Sequence, residues 1–494
     1  MPVLTIRRGN ETRRVQFLGE MPLQALLSQE GLLPAEPCGG RGSCGKCAVQ
    51  LSGAVSAPNE QEQKHGVRLA CQARVFGDAV VILPIEQRFL QIEIQASAAA
   101  VTLHPMPGRL GLAVDIGTTT LAAQLYDLKT GTVLAGAGLL NPQTQVAADV
   151  MGRIGAAMQG QLPALQQQVR QAIEALCHET CQSAGRMPET IDALVLTGNT
   201  TMLYLLTGRN PAPLSHAPFA ADTLFGIQTT FFGRAAYLPP CMNAFVGADI
   251  TCAVLASGMC AQAETALLCD IGTNGEIALW HDGTLNVTST AAGPAFEGAG
   301  ISCGCGSVAG AIDRVWEENG NLCIHTIQDA PPCGLCGSGL IDAVAVLLAR
   351  EDVSVTGAAP VEGLTLCPSV RLLREDIRAV QMAKAAISTG IQLLLRQAGV
   401  RAEDVRALYL AGGFGSHLNL QSAAAIGLLP PTLIPRTKVI GNAALAGAAG
   451  LLLDRSQRAA AEALAADAQH VSLSGHPDFN DTYVENMLFG DEEE

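Results

Sequence analysis

Four cysteines near the start of the chain have the residue type and spacing that an iron–sulfur cluster requires. Cys38, Cys44 and Cys47 lie in one glycine-rich loop, and Cys71 completes a C-x5-C-x2-C-x23-C pattern. Three thiolates in one loop and a fourth from a later segment are typical of a two-iron, two-sulfur (2Fe-2S) cluster. Small residues between them let backbone N–H groups approach the sulfurs. The pattern predicts one-electron chemistry; a zinc site or inert thiols are the alternatives.

The other twelve of the sixteen cysteines are predicted to be small core residues. Cys177 and Cys181 stand four positions apart on a predicted helix and fit this interpretation well. Two later pairs, C-G-C at 303–305 and C-x2-C at 333–336, have local spacings that also occur in metal sites. A second metal centre is therefore the alternative for these four thiols.

A repeated hairpin predicts phosphate chemistry. The segment Leu-Ala-Val-Asp-Ile-Gly-Thr-Thr-Thr at 112–120 recurs as Leu-Leu-Cys-Asp-Ile-Gly-Thr-Asn-Gly at 267–275. In each copy a strand ends in a turn whose glycine, N–H groups and hydroxyls can surround phosphate oxygens. The aspartate can hold magnesium, through water, because this ion keeps much of its hydration shell. The predicted residues are Asp115, Gly117, Thr118, Thr119, Asp270, Gly272, Thr273 and Asn274.

Two further turns predict the rest of this pocket. Leu-Ala-Gly-Gly-Phe-Gly at 410–415 follows an apolar strand, and Gly-Asn-Ala-Ala at 441–444 stands at a predicted helix start. We expect the first turn to wrap the adenosine and inner phosphates, and the second to steady the same pocket. The predicted residues are Gly412, Gly413, Gly415 and Asn442.

Two more acids are candidates for catalysis. Asp249 and Glu297 could position magnesium or the attacking water, and Asp249 joins Asp115 and Asp270 as a predicted catalytic residue. Helix capping is the alternative for Asp249, because this residue stands near a predicted helix start.

The elements that must position these residues divide the chain into four parts. Residues 1–85 read as strand, strand, helix, cysteine loop and strand, an order compatible with an α+β β-grasp ferredoxin. Residues 86–108, with an alanine run and two prolines, predict a linker. The repeated hairpins and the long alanine-rich helical segments predict two similar α/β halves, at 109–265 and 266–490, that face each other.

Composition argues against several classes of partner. The chain has 494 residues and a net charge of −15, so it has no general attraction for nucleic acid or anionic membranes. No run reaches the roughly 18–20 apolar residues of a membrane span. The first residues lack the apolar region of a signal peptide. Together with sixteen cysteines, this predicts a reducing, cytoplasmic location.

The combination of motifs resembles two known groups of proteins. Two D-I-G-T turns, G-G-F-G, G-N-A-A and the connecting segment Leu-Thr-Gly-Asn-Thr-Thr-Met at 196–202 are similar to the nucleotide motifs of the actin-like (ribonuclease H-like) ATPase superfamily, which includes acetate and sugar kinases. A two-iron ferredoxin joined to such a duplicated ATPase resembles the reductive activators of corrinoid proteins. Further segments fit this family, at 245–250, 293–299, 336–342 and 478–483.

This resemblance implies a function. The chain would be an ATP-hydrolysing one-electron reductase, or activase, that passes an electron from its 2Fe-2S cluster to an inactive Co(II) corrinoid protein and restores Co(I) for methyl transfer. It implies ATP and Mg²⁺ as further cofactors. The implied partners are a corrinoid protein of a methyltransferase system, a low-potential electron donor and a second copy of the chain.

Two other functions stay open at this point. One is a small-molecule kinase with a redox-sensing ferredoxin domain, and the other is an ATP-dependent activator of a radical dehydratase. A plain electron carrier would leave both D-I-G-T turns unexplained.

Overall fold

The computed structural model describes most of the chain. The described residues are 1–8, 11–30, 32, 40, 42, 47–83, 94, 102–473 and 475–490. The chain divides into two compact units, Met1–Phe89 with Gln143–Ala148, and Leu90–Pro142 with Asp149–Glu494. Most of the predicted linker at 86–108 lies outside the described residues, and the predicted domain boundaries stay predictions.

The first unit is a mixed sheet with a helix against its apolar face. Leu4 and Ile6 are buried while Arg7 is exposed, the alternation expected of a half-buried strand. The strand order is β2-β1-β6-β4-β5, with β3 also paired to β6 and with β1 parallel to β6. The predicted order of strands and helix is confirmed. The elements are β1 (Val3–Arg8), β2 (Glu11–Gln16), β3 (Met21–Pro22), α1 (Leu23–Gln29), β4 (Ala48–Val55), α2 (Glu60–His65), β5 (Arg68–Leu69) and β6 (Arg74–Ile82).

The second unit begins with a six-stranded sheet in the order β11-β12-β10-β7-β8-β9. Its central strands β7 and β10 are parallel and almost wholly buried, as their continuous apolar sequences require. The elements are β7 (Leu110–Ile116), β8 (Thr120–Asp127), β9 (Thr132–Leu140), α3 (Val150–Ala156), α4 (Leu162–Ser183), β10 (Ile191–Gly198), α5 (Thr200–Thr207), β11 (Phe225–Phe231), β12 (Arg234–Pro240) and α6 (Ala248–Ser257).

A second six-stranded sheet follows in the order β22-β21-β13-β14-β15-β23, with two small sheets beside it, β17-β16-β18 and β19-β20. The elements are β13 (Ala266–Ile271), β14 (Gly275–His281), β15 (Thr284–Thr290), β16 (Ala311–Glu318), β17 (Asn321–Thr326), β18 (Gly334–Leu335), α7 (Gly337–Ala349), β19 (Leu364–Cys367), β20 (Val370–Leu372), α8 (Arg374–Gln397), β21 (Ala407–Ala411), α9 (Leu420–Ala425), β22 (Thr437–Gly441), α10 (Ala443–Leu453), α11 (Gln457–Asp467), β23 (Gln469–His470) and α12 (Phe479–Glu485).

The two large sheets repeat one topology. The path β9-β8-β7-β10-β12 corresponds to β15-β14-β13-β21-β22, and in both the first three strands are antiparallel while the last three are parallel. The predicted duplication is therefore confirmed. The two predicted long helices are also present, as α4 and α8.

Helices α6 and α10 connect the two halves by an unusually close crossing. A Cβ atom at Gly447 would lie 2.0 Å from the carbonyl oxygen of Cys252, so only glycine allows the helices to approach this closely. Helix α10 also packs on β7 and β10 of the first half. Its N-cap residue, Asn442, is thereby placed at the end of β7.

The cores of the second unit are built mainly from alanine and branched aliphatic side chains, as the 4% aromatic content predicts. Among the described residues, no helix is both long and apolar enough to cross a membrane.

Candidate functional site

The first D-I-G-T turn joins β7 to β8 in a tight hairpin. A Cβ atom at Gly117 would lie 2.6 Å from the carbonyl oxygen of Thr120, so the tight turn requires glycine here. Asp115, at the end of β7, accepts a hydrogen bond from Asn442 Nδ2 at 3.0 Å. Removal from water raises the pKa of Asp115 to about 6, and the bond from Asn442 opposes part of that rise.

The two threonines of this turn have different partners. Thr118 is buried, and its hydroxyl accepts a hydrogen bond from Asn199 Nδ2 at 3.0 Å. The Thr119 hydroxyl donates to the carboxylate of Glu297, which belongs to the second half. One threonine is thus fixed within its own half and the other reaches across to the second half.

The second turn, between β13 and β14, carries Asp270, Gly272, Thr273 and Asn274. The Gly272 N–H donates to the Asn274 carbonyl at 3.0 Å and closes the turn. Removal from water, with the negative charges of Asp115 and Glu297, raises the pKa of Asp270 to about 7. Glu297 contacts both Thr119 of the first turn and Thr273 of the second, so the two turns face each other, as the repeat predicts.

Asp249 joins the same group of acids from the start of α6. Desolvation and the charges of Asp115 and Asp270 raise its pKa to about 8. Gly247 is the N-cap residue of α6, but Asp249 accepts a hydrogen bond from the Ile250 N–H at 2.9 Å in the first helical turn, so the capping alternative stays open beside the catalytic one. The structure thus brings the three predicted catalytic aspartates together from three separate elements.

The third turn approaches Asp270 directly. Gly412 has φ +89°, and a Cβ atom there would lie 2.5 Å from Asp270 Oδ1, so a side chain would collide with the carboxylate. Gly413 and Gly415 continue the turn around Phe414, whose ring stacks on Phe296 with centroids 5.3 Å apart. Since Phe296 precedes Glu297, this stacking ties the third turn to the segment that carries Glu297.

Glu297 bridges the two phosphate turns. Its Oε1 accepts hydrogen bonds from the N–H and the hydroxyl of Thr273, both at 2.9 Å, and its Oε2 accepts the bond from Thr119. These are the donors that phosphate oxygens would use. In this structure Glu297 therefore occupies hydrogen-bond donors of both turns.

Two further residues of the site escaped sequence reasoning. Glu276 pairs with Asp270 in the β13–β14 register, is buried, and has a pKa raised well above its usual value by desolvation and by Asp249 and Asp270. The available signal was an acid in the second copy where the first has Ala122. Arg153 is fully buried and donates to the Thr118 carbonyl at 2.5 Å; burial lowers its pKa to about 10. No local motif marks Arg153.

The donor set fits magnesium and a nucleotide. Carboxylates at strand ends are the oxygen donors that magnesium prefers, and magnesium binds them largely through its own water. The charge of Asp115 raises the pKa of Asp270, and the charges of both raise the pKa of Asp249, so a divalent cation would stabilise the ionised group. Hydroxyls and turn N–H groups on both sides supply donors for phosphate.

Two of the four predicted cluster ligands lie in the described residues. Cys47 and Cys71 are unbridged thiols whose sulfurs are 3.3 Å apart. For metal–sulfur bonds of about 2.3 Å, tetrahedral geometry places two sulfurs of one metal about 3.8 Å apart, so this pair fits a shared iron after a small shift. The bond with Cys47 holds the pKa of the Cys71 thiol below its usual range, which favours the thiolate. Cys38 and Cys44 lie outside the described residues.

The remaining cysteines are only partly core residues. Cys177 and Cys181 are buried, as predicted, whereas Cys333 is exposed, so the prediction of a core position is wrong for it. In the ranges that the structure describes, no group of three or more His, Cys, Asp or Glu side chains is arranged to hold a metal ion directly, so the acids of the cleft would reach magnesium through its bound water.

Comparison with known proteins assigns one family description to the N-terminal part of the chain and two to the rest. Three family descriptions match in chain order: "2Fe-2S iron-sulfur cluster binding domain" at residues 9–76, "RACo middle region" at 110–262 and "C-terminal domain of RACo the ASKHA domain" at 264–494. A relative in Eubacterium limosum, corrinoid activation enzyme RamQ, is 33% identical over 421 residues, covering 77% of this chain and 70% of the relative. The chain belongs to the RACo family.

Other RACo-like proteins support this assignment. A Co(II) methylated amine-specific corrinoid protein reductase from Methanosarcina barkeri is 25% identical over 76% of each chain. A solved structure titled reductive activator for corrinoid, iron-sulfur protein superposes with a TM-score of 0.72 and 26% identity over 99% of both chains. The predicted fold class, a ferredoxin-like domain followed by an actin-like ATPase, is thereby confirmed for this RACo family member.

Proposed function

We propose that this chain is an ATP-dependent reductive activator, which passes one electron at a time from a 2Fe-2S cluster to a Co(II) corrinoid protein and yields Co(I). The observation that carries the proposal is that both phosphate turns meet at one cleft, in a chain whose N-terminal part matches cluster-binding domains. The names of the two relatives, a corrinoid activation enzyme and a corrinoid protein reductase, support the choice of substrate.

An energy input is needed because of the potentials involved. Plant-type 2Fe-2S clusters have potentials of about −400 mV. For one electron, each ~59 mV of uphill transfer lowers the equilibrium about tenfold. A corrinoid more reducing than the cluster would receive few electrons unaided. A low-potential donor must supply the electron, and nucleotide must favour the protein conformation in which the product is formed or released.

The residues of the cleft have distinct parts in this scheme. Asp115, Asp249 and Asp270 hold Mg²⁺ through water, and Thr118, Thr119, Thr273 and the neighbouring N–H groups bind the phosphates. When bound, the cluster supplies a one-electron carrier, held by Cys38, Cys44, Cys47 and Cys71. Gly412, Gly413 and Gly415 would wrap the adenosine and inner phosphates, and Asn442, through its bond to Asp115, would steady the same pocket. We further propose a homodimer and a cytoplasmic location.

Glu297 gives the cleft a means of responding to nucleotide. Its carboxylate contacts one donor residue in each half, Thr119 and Thr273. A phosphate that takes these donors must displace the carboxylate or share its contacts. Because the Glu297 segment stacks on the third turn through Phe296, that displacement changes the packing beyond the phosphate itself.

The test is anaerobic absorption spectroscopy of a Co(II) corrinoid protein mixed with the reconstituted protein and a reductant no stronger than the cluster. We expect MgATP to increase both the rate and the extent of Co(I) formation. Cys71→Ser should abolish the reaction while nucleotide binding persists, and Cys333→Ser, an exposed cysteine, is the matched control. Equal Co(I) formation with and without ATP would contradict the proposal, and phosphorylation of a metabolite would instead indicate a kinase.

A further inference from the structure

Gln72, the residue after the last cluster cysteine, links the cysteine loop to the body of the ferredoxin-like unit. Its Nε2 donates to the carbonyl oxygen of Gly40 at 2.7 Å and lies 3.5 Å from the sulfur of Cys71. Its Oε1 accepts a hydrogen bond from Asn59 Nδ2 at 2.9 Å. One amide thus contacts the loop, a cluster ligand and a residue outside the loop.

The loop is shaped to admit this side chain. Gly42 has φ +75°, and a Cβ atom there would lie 2.9 Å from Cγ and Cδ of Gln72, too close for a real side chain. The backbone N–H of Gly42 also donates to the Cys71 sulfur. Glycine at position 42 therefore serves both the left-handed backbone and the passage of Gln72.

The orientation of the Gln72 amide follows from its other partner. The Oδ1 of Asn59 accepts from the Glu62 N–H at 3.0 Å, in a capping box that Glu62 completes by accepting from the Asn59 N–H at 3.0 Å. Asn59 must therefore present its NH₂ group to Gln72, so Gln72 presents oxygen to Asn59 and NH₂ to the loop. Glu62 is itself held by Arg68, which stabilises the whole arrangement.

We propose that Gln72 is a positioning residue that raises the reduction potential of the cluster by donating a hydrogen bond to the Cys71 sulfur and by fixing the loop at Gly40. Hydrogen bonds to cluster sulfurs favour the reduced, more negative form and so raise the potential. The proposal rests on Cys71 being a cluster ligand, as in the proposed function. Its consequence is that Gln72 eases the loading of the cluster by its donor and makes the onward step to cobalt more dependent on ATP.

The test is a redox titration of the reconstituted full-length protein, followed by visible absorption and electron paramagnetic resonance. Gln72→Met keeps the size of the side chain and removes the donor. We expect the ratio of oxidised to reduced cluster at a fixed ambient potential to rise about tenfold, which corresponds to a fall of ~59 mV in the midpoint potential. Gln72→Lys keeps a donor and adds positive charge, so its midpoint should rise. Gln63→Met is the matched control, since Gln63 donates to the Pro58 carbonyl.

Asn59→Ala supplies an independent readout. This substitution frees the Gln72 amide without touching the loop, so the midpoint should move in the same direction as in Gln72→Met and by a smaller amount. Wild-type midpoints in Gln72→Met and Asn59→Ala, at full iron content, would overturn the proposal. If Gln72→Met does not retain the cluster, the midpoint potentials of the other two variants decide. A higher midpoint in Gln72→Lys and a lower one in Asn59→Ala support the proposal, and the absence of both shifts overturns it. A wild-type protein that assembles no 2Fe-2S spectrum would instead refute the cluster assignment.

Discussion

The two copies of the repeated hairpin share one backbone plan and differ in charge. In the first copy, Asp115 pairs in register with Ala122, whereas in the second Asp270 pairs with Glu276. The first aspartate is bonded by an amide, Asn442, and its pKa is about 6. The second stands among further acids, and its pKa is about 7.

The two halves therefore contribute unequally to the cleft. The first half provides Asn199 and the buried guanidinium of Arg153 beside its own turn. The second half provides Asn442 to that turn and adds the acids Glu276 and Glu297. Carboxylates gathered in one place are stable only if some are protonated or a cation is present. The second half is therefore the side on which a divalent cation has the larger effect.

The largest expected effect comes from removing one aspartate from each copy. Asp270→Asn should lower MgATP hydrolysis by about 100-fold and Asp115→Asn by about tenfold, since each factor of ten corresponds to about 1.4 kcal/mol in the barrier. The difference follows from the bond that Asn442 makes to Asp115. Steady-state hydrolysis over a range of Mg²⁺ concentrations measures it. Asp467→Asn, at an exposed acid, is the control. A larger loss of hydrolysis in Asp115→Asn than in Asp270→Asn would contradict the difference between the two copies.

The pH dependence of stability tests the same acids together. The pKa values of Asp115, Asp270 and Asp249, about 6, 7 and 8, lie above the usual 3.8, so the folded state binds more protons than the unfolded state. Their stabilising contribution is complete below about pH 4 and is lost as pH rises through 6 to 8. Each pKa unit corresponds to about 1.4 kcal/mol.

We therefore expect the melting temperature of the nucleotide-free protein to fall between pH 5 and 8.5, by a loss of at least about 2 kcal/mol, and Mg²⁺ with nucleotide to restore part of it. Calorimetry or circular dichroism in matched buffers measures the change. A melting temperature that is flat or rises over this interval would contradict the proposed proximity of the acids.

Glu276→Gln removes the charge at the position where the first copy has Ala122, and it keeps the shape of the side chain. At pH 5 we expect the smaller difference from the wild type, because desolvation and the charges of Asp249 and Asp270 raise the pKa of Glu276 and favour its neutral form. At pH 8 the variant should be more stable by about 1–2 kcal/mol, since the amide cannot take on the buried charge that a carboxyl group can. Urea unfolding at the two pH values measures both. Equal effects at both pH values would show that the charge of Glu276 does not affect stability.

Glu297→Gln should have the smallest effect, and the direction of the change in nucleotide affinity distinguishes two roles of this residue. Removing its charge beside Thr119 and Thr273 should tighten the binding of a non-hydrolysable ATP analogue about fivefold, or about 1 kcal/mol. Titration calorimetry measures the affinity, with the exposed Glu318→Gln as the control. Weaker binding would show that Glu297 supports the cation instead of competing with phosphate.

Sequence reasoning succeeded where the chemistry is local. The cysteine spacing and the D-I-G-T turns are contiguous segments, and a strand that ends in a glycine turn predicts its own geometry. The duplication was readable because both copies keep the same order of apolar strand, turn and strand. These features sufficed for the fold class.

The parts that sequence could not provide depend on distant partners. Asn442 and Asp115 are 327 positions apart, and the packing of α10 on α6, β7 and β10 brings them together. Arg153 has no motif of its own, and its burial depends on the packing around Thr118. Gln72 follows a predicted ligand directly, yet its role depends on Asn59, whose amide direction is set by a capping box.

The most direct test of the central claim is the rate of Co(I) formation by Asp270→Asn protein that carries a full cluster, at saturating MgATP. Our account predicts that the cluster of this variant is reduced normally and that Co(I) forms only at the rate seen for wild type without ATP. Co(I) formation at the ATP-stimulated wild-type rate, with hydrolysis abolished, would show that the nucleotide cleft does not drive the reduction.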